Sequence, residues 1–282
     1  MAVLSAEYVF SVVRGALRPP HDHGAVAVID GTTVKITPFR TANIPPPMSM
    51  YEVVAKSAVI DVAFSPTNSH MAVLHHKGID LYAWQTKGSR SLVPKLLRTL
   101  KSESSAEKLS LQVCLPGSGE VHLLYRDSDA DVVVSTCGFD EATGDTVSIS
   151  PQTVGAGSIL VPSDVSGRAH VQNRSGRLFR LGEKNSAGTE TFPTQLPWTE
   201  STSRGDDLLA VGLSKNGHLY AGNRLLTKSC SSFLLTPEHL VLTTTNHLLK
   251  FVHLTNVEGS FLFYCLGRSV TVLTTSRSRS TP

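Results

Sequence analysis

Apolar and polar residues alternate with a two-residue period in six separate stretches of this chain, and nowhere does a helical spacing persist over a useful length. The clearest stretch runs from Val59 to Trp84, VIDVAFSPTNSHMAVLHHKGIDLYAW. There Val62 and Phe64, Ala72 and Leu74, and Ile79 and Leu81 fall at alternate positions, which suits one buried sheet face. Ser65-Pro66-Thr67-Asn68 and Lys77-Gly78 interrupt the pattern as turns. Strand, turn, strand, turn, strand is the grammar of one β-propeller blade.

The pattern recurs on both sides of this unit. Ala25 to Phe39 alternates around Asp30-Gly31, a dipeptide whose residues tolerate positive φ at a hairpin turn. Leu109 to Phe139 supplies three strands divided by Pro116-Gly117 and by the acidic turn Asp127 to Asp131. Ala169 to Leu181 and Leu208 to Leu226 read as strand pairs reversing at Ser175-Gly176 and Asn216-Gly217, and Ser231 to Leu254 as three further strands. The centres recur roughly every 40 to 50 residues, close to the blade period of WD40 and related propellers. The fold predicted is all-β, a WD40-like β-propeller that is incomplete, spanning residues 1–255 and followed by a divergent, disordered tail at 256–282. No Trp-Asp signature marks the units, so the repeat is one of pattern.

Between the units the chain punctuates itself. Three consecutive prolines in TANIPPPMSM remove ladder donors and make an extended connector after Phe39. Thr86 to Ser91, Ser102 to Glu107 and Gly182 to Asp207 are polar, rich in turn formers, and read as exposed loops. The start, MAVLSAEYVFSVVRG, lacks a positive leader and is interrupted by Glu7, so it reads as a strand and not as a secretory signal.

Composition narrows the function classes. A net charge of +3 on 282 residues describes a solvated surface and not a phosphate track. The longest apolar run, SFLFYCL, is far short of the roughly 18 residues that a membrane helix needs, so the expectation is a soluble protein with no membrane partner. Cys114, Cys137, Cys230 and Cys265 form no CxxC pair and read as free thiols in a reducing compartment, cytoplasmic with the nucleus as a second location. The sequon at Asn173-Arg174-Ser175 is then only a turn.

Candidate chemistry thins out when each motif is weighed. His21 and His23 flank Asp22 in a Pro- and Gly-bounded loop, and His75 and His76 would point to opposite faces of a strand, so neither pair, nor His70, makes a metal centre. Asp127, Asp129 and Asp131 open like a calcium loop, but Val132 replaces its Gly and Gly138 its bidentate Glu. No phosphate loop, GxGxxG turn or GxSxG elbow occurs, and Ser, His and Asp residues without geometry are not a triad. The basic SRSRSTP end carries two arginines, too few for an RNA contact. No catalytic, cofactor-binding or metal-binding residue is assigned, and no cofactor is expected.

Several segments resemble a known family. YVFSVVRGALRPPHDHGAVAVIDGTTVKITPFRTANIPPPMSMYE, the Val59 to Trp84 unit with Gln85, LSKNGHLYAGNRLL and SSFLLTPEHLVLTTTNHLLKFVHL are similar to the largest subunit of the Elongator complex. AVIDGTTVKITPFRTANIPPPM and SKNGHLYAGNRLL carry the most specificity. The resemblance covers about residues 6–254, more loosely from Thr86 to Asp207, and is to the second of that subunit's two N-terminal propellers. It implies a non-catalytic scaffold supporting modification of the transfer RNA wobble uridine by positioning a separate catalytic subunit. The partners implied are that subunit and a second propeller subunit, with transfer RNA reached only through the complex; the family's dimerisation region has no counterpart here. Two other classes stay open on the residues alone: a stand-alone propeller adaptor that binds a peptide or protein, and a propeller enzyme with acidic or histidine residues converging on its channel.

Overall fold

Short strands rich in Val, Ile and Leu, separated by Gly, Pro, Asn and Asp, favour antiparallel meanders over any helix. The computed structural model describes residues 11–15, 22–45, 48–84, 86–87, 90–91, 93–101, 108–117, 119–127, 132–140, 145–161, 169–182, 191–204, 207–254 and 264–266. Among these, six successive antiparallel sheets and one two-stranded ribbon account for all regular structure.

Blade 1 holds β1 (Ser11–Arg14), β2 (Ala25–Asp30), β3 (Thr33–Pro38) and β4 (Tyr51–Val54) in sequence order. Blade 2 holds β5 (Val59–Phe64), β6 (His70–His75), β7 (Gly78–Ala83) and β10 (Lys95–Lys101), with the ribbon β8 (Thr86–Lys87) and β9 (Arg90–Ser91) inserted before its last strand. Blade 3 comprises β11 (Leu109–Gly117), β12 (Glu120–Arg126), β13 (Val132–Phe139) and β14 (Thr146–Thr153). Blade 4 shows β15 (Ile159–Val161), β16 (His170–Gln172) and β17 (Leu178–Arg180). Blade 5 is β18 (Trp198–Arg204), β19 (Asp207–Leu213), β20 (Leu219–Ala221) and β21 (Arg224–Thr227). Blade 6 is β22 (Cys230–Leu235), β23 (His239–Thr244), β24 (Leu249–His253) and β25 (Tyr264–Leu266).

The first strand of each blade meets the first strand of the next, β5 with β11, β11 with β15, β15 with β18 and β18 with β22, so these strands surround the centre. Between neighbouring blades lie apolar cores. Ile36, Val53, Met71 and Trp84 join blades 1 and 2; Leu74, Leu81, Val113 and Val121 join blades 2 and 3. Leu124, Val134, Leu160 and Val171 join blades 3 and 4; Leu178, Phe192, Leu196 and Ala210 join blades 4 and 5; Val211, Leu219, Leu240 and Val252 join blades 5 and 6. Strands β6 and β7 are buried along their whole length because blade 2 is covered on both faces. Among the described residues no such core joins blade 6 to blade 1, and the propeller is incomplete in that sense.

The structure moves several predicted features. Asp30 pairs with Thr33, leaving Gly31 and Thr32 as the turn, with Gly31 at φ 60°, the place where a type II′ connection requires glycine. His75 pairs with Gly78, so the second turn is His76-Lys77 and not Lys77-Gly78. Pro116-Gly117 ends β11 instead of forming the reversal, because Gly117 pairs with Glu120. The predicted loop at 86–91 contains the β8–β9 ribbon, and the predicted loop at 182–207 contains β18 and the buried Phe192 and Leu196. Tyr264–Leu266, assigned to the tail, add a strand to β24, since backbone ladder bonds complete that sheet without requiring an alternating pattern. The rest of 256–282, the loop 102–107 and residues 1–10 lie outside the described residues.

Candidate functional site

Side chains with catalytic chemistry converge at one end of blade 2. His75 closes β6 and Asp80 lies in β7, on either side of the tight turn, and both are buried. His75 Nδ1 is 3.1 Å from Ser57 Oγ, and it accepts the Lys77 amide at 3.1 Å. The ring proton therefore sits on Nε2, which is 3.3 Å from Asp80 Oδ2 but is not aligned for a hydrogen bond. The Thr99 hydroxyl, from β10, donates to the other carboxylate oxygen at 2.6 Å.

Ser57, His75 and Asp80 are the residue types of a hydrolytic relay, yet the arrangement serves a different end. The Nδ1 lone pair that would take a serine proton is shared with the Lys77 amide, and His75 has no exposed surface from which to meet a substrate. What the network does is fasten the blade 1–blade 2 connector, the β6–β7 hairpin and the outer strand β10 to one another. Sequence spacing could not reveal it, because Ser57 and Thr99 come from segments that only the blade brings together. The available signal was the five-residue spacing of His75 and Asp80 across a predicted tight turn.

A second set of polar side chains links successive blades, three of them on the first strands around the centre and one, Gln172, on the next strand out. Asp61 on β5 accepts the Val113 amide of blade 3 at 3.1 Å, and Gln112 on β11 accepts the Leu160 amide of blade 4 at 3.0 Å. Gln172 on β16 accepts the amide of Leu196, just ahead of β18, at 3.1 Å. Glu200 on β18 accepts the Leu235 amide of blade 6 at 3.1 Å. Each blade from 2 to 5 thus offers one side-chain oxygen to a backbone N–H of the next. A buried N–H that cannot join a ladder is satisfied this way.

Titration follows burial. Removal from solvent lowers His122 to about 4, so it is neutral, with Nδ1 2.8 Å from Thr136 Oγ1. An unfolded histidine titrates near 6.5, so as pH falls the unfolded chain takes the proton first. The associated stability is complete above pH 6.5 and is lost between pH 6.5 and 4, by about 2–3 kcal/mol. Urea denaturation at pH 7 and pH 4.5 is expected to show this loss diminished in His122→Gln, and equal acid sensitivity in both proteins would refute the assignment. Burial also pushes the Cys230 thiol up to about 12 and raises Cys137, so both are poor nucleophiles.

The other predicted positions disperse. His21 lies outside the described residues, while Asp22 pairs with Arg40 at 2.5 Å and caps the Gly24 amide. His70 is buried with Nδ1 2.9 Å from Ser69 Oγ and its ring edge toward Phe139, far from a ligand role. His76 is exposed in the turn, whereas His75 is buried. Asp129 and Asp131 lie outside the described residues. Cys114, Cys137 and Cys230 are joined in no disulfide, and among the described residues no three His, Cys, Asp or Glu side chains gather closely enough to hold a metal. No helix among them is long and apolar enough to cross a membrane.

Comparison with known proteins supplies what these geometries alone do not. Residues 28–264 match the family described as the ELP1 N-terminal second beta-propeller. The chain is 29% identical over 275 residues to Elongator complex protein 1 of Saccharomyces cerevisiae, covering 89% of this chain and 20% of that protein. It is 28% identical over 241 residues to Elongator complex protein 1 of Schizosaccharomyces pombe, covering 83% of this chain and 19% of that protein. The chain thus spans a small part of the length of these relatives. In fold it is similar to the crystal structure of Saccharomyces cerevisiae Sqt1, with a TM-score of 0.52 at 12% identity, covering 93% of this chain and 87% of that one.

Proposed function

The chain belongs to the ELP1 N-terminal second β-propeller family, and from that premise we propose that it is a non-catalytic scaffold element of the Elongator complex. On this reading it supports modification of the transfer RNA wobble uridine by holding other subunits in place. The observation that carries the reading is the family match over residues 28–264, reinforced by identity to two Elongator relatives across most of the chain.

The physical features are compatible with that role. A ring of sheets presents loops from successive blades on a rigid frame, which suits protein contacts better than chemistry. The Ser57–His75–Asp80 group is tied into the frame, so it leaves no free nucleophile. The partners are the catalytic subunit and a second propeller subunit, and transfer RNA is met through them. The expected place of work is the cytoplasm, with the nucleus as a second site, where cysteine thiols stay reduced.

Affinity purification of the tagged chain from cells tests the proposal. Recovery of the catalytic subunit and the second propeller subunit is the expected result. Recovery of neither, from cells in which the full-length relative brings both down, would overturn the scaffold role for this chain.

A further inference from the structure

Five apolar cores join six blades in series, and the seam between blade 6 and blade 1 has none among the described residues. The apolar residues on the blade 6 face turned away from blade 5, Leu234, Val241 and Phe251, form one cross-strand row and stay half-exposed. On the corresponding face of blade 1, Val12 and Val26 are also half-exposed, while Val28, the cross-strand partner of Val12, is buried. Sheet packing alone therefore holds this seam less firmly than the other five.

Polar contacts tell the complementary story. The inter-blade acceptors Asp61, Gln112, Gln172 and Glu200 run from blade 2 to blade 6, and the last of them is used twice. Glu200 Oε2, which accepts the Leu235 amide of blade 6, also pairs with Nη2 of Arg14 on β1. Arg14 reaches past blade 6 to blade 5, so a single carboxylate oxygen ties the first blade to the last two. Both side chains keep about a fifth of their surface exposed, 22% and 21%, so salt can reach the pair.

We propose that Arg14–Glu200 is an electrostatic clasp that closes the ring, and that the blade 6–blade 1 seam opens and closes as this pair is broken and made. A seam held more by charge than by apolar area responds to ionic strength. Arg98–Asp145 also spans two blades, 2 and 3, but that largely exposed pair lies at a seam already held by buried apolar side chains. The other seams, held by buried Leu, Val, Met and Trp side chains, do not share that response.

Hydrogen exchange read by mass spectrometry on the full chain tests this. In low salt, Glu200→Gln keeps an oxygen for the Leu235 amide but removes the charge. Amides of β1, β2, β22 and β23 are then expected to exchange about five- to tenfold faster, as loss of a partly buried charge pair implies, while those of β12 and β13 keep their wild-type rates. Arg14→Met should reproduce the change from the other side and leave the Glu200–Leu235 bond in place. The wild-type protein needs no substitution: salt at about 1 M, where screening acts over about 3 Å, should open the same amides, and both variants should lose that response. Unchanged rates at the seam in Glu200→Gln, or an equal rise in every blade, would overturn the clasp.

Discussion

Asp80→Ala is expected to lower the unfolding free energy by about 3–5 kcal/mol, among the largest effects available to a single side chain here. The loss has two sources. Asp80 is buried at 2% exposure, and its carboxylate is the acceptor for the Thr99 hydroxyl and the counter-group facing His75. Alanine leaves the fully buried His75 ring facing no carboxylate and takes the acceptor from the half-buried Thr99 hydroxyl, and a buried polar group without its partner pays a desolvation cost. Asp80→Asn keeps an oxygen for Thr99 and should cost less, about 1–3 kcal/mol. Urea denaturation of the two variants beside wild type measures both. A loss under about 1 kcal/mol for alanine would mean that the network does not fasten blade 2.

Phe192→Ala is expected to cost about 3–5 kcal/mol for a different reason. Phe192 is 1% exposed and fills the space between blades 4 and 5 with Val161, Leu178, Leu196 and Ala210. Its neighbour Leu196 lies over Gly212, where even a Cβ would come within 2.5 Å of Leu196 Cδ1. So tight a fit cannot relax into the gap that alanine leaves, which puts the cost toward the upper end of the range. Phe192→Leu should recover most of it. Thermal and urea unfolding would read the difference, and an alanine variant within about 1 kcal/mol of wild type would show that the 191–197 segment is not part of the core.

These residues mark where sequence was readable and where it was not. Asp80 sits in the clearest alternating stretch, so its strand was legible, but its partners were not: Ser57 and Thr99 come from segments on either side of that hairpin. Phe192 sits among Ser, Thr, Gly and Pro, and local polarity argued for a loop. One aromatic ring in a polar segment has no period to betray it. The outer and inner strands β1, β15, β18 and β25 were weakest in pattern for a related reason, since a strand paired on one side or covered by loops does not need strict alternation.

The alternation of apolar residues with period two determined by itself that the chain is all-β, and the spacing of its turns determined a series of blades. That follows because burial of one strand face is a local demand that each strand must meet with its own residues. The specific stretches AVIDGTTVKITPFRTANIPPPM and SKNGHLYAGNRLL pointed to the family, which the match over residues 28–264 establishes. Only the tertiary structure decided which polar groups meet. Asp61, Gln112, Gln172 and Glu200 are unremarked in the sequence, and they form a path around the centre because ring geometry places each beside the next blade's backbone. The ring likewise decided that Arg14 and the Leu235 amide, distant in the chain, share one oxygen of Glu200, at the seam where no apolar core lies among the described residues. Contacts of that kind depend on how sheets are arranged about an axis, a property that no single strand encodes.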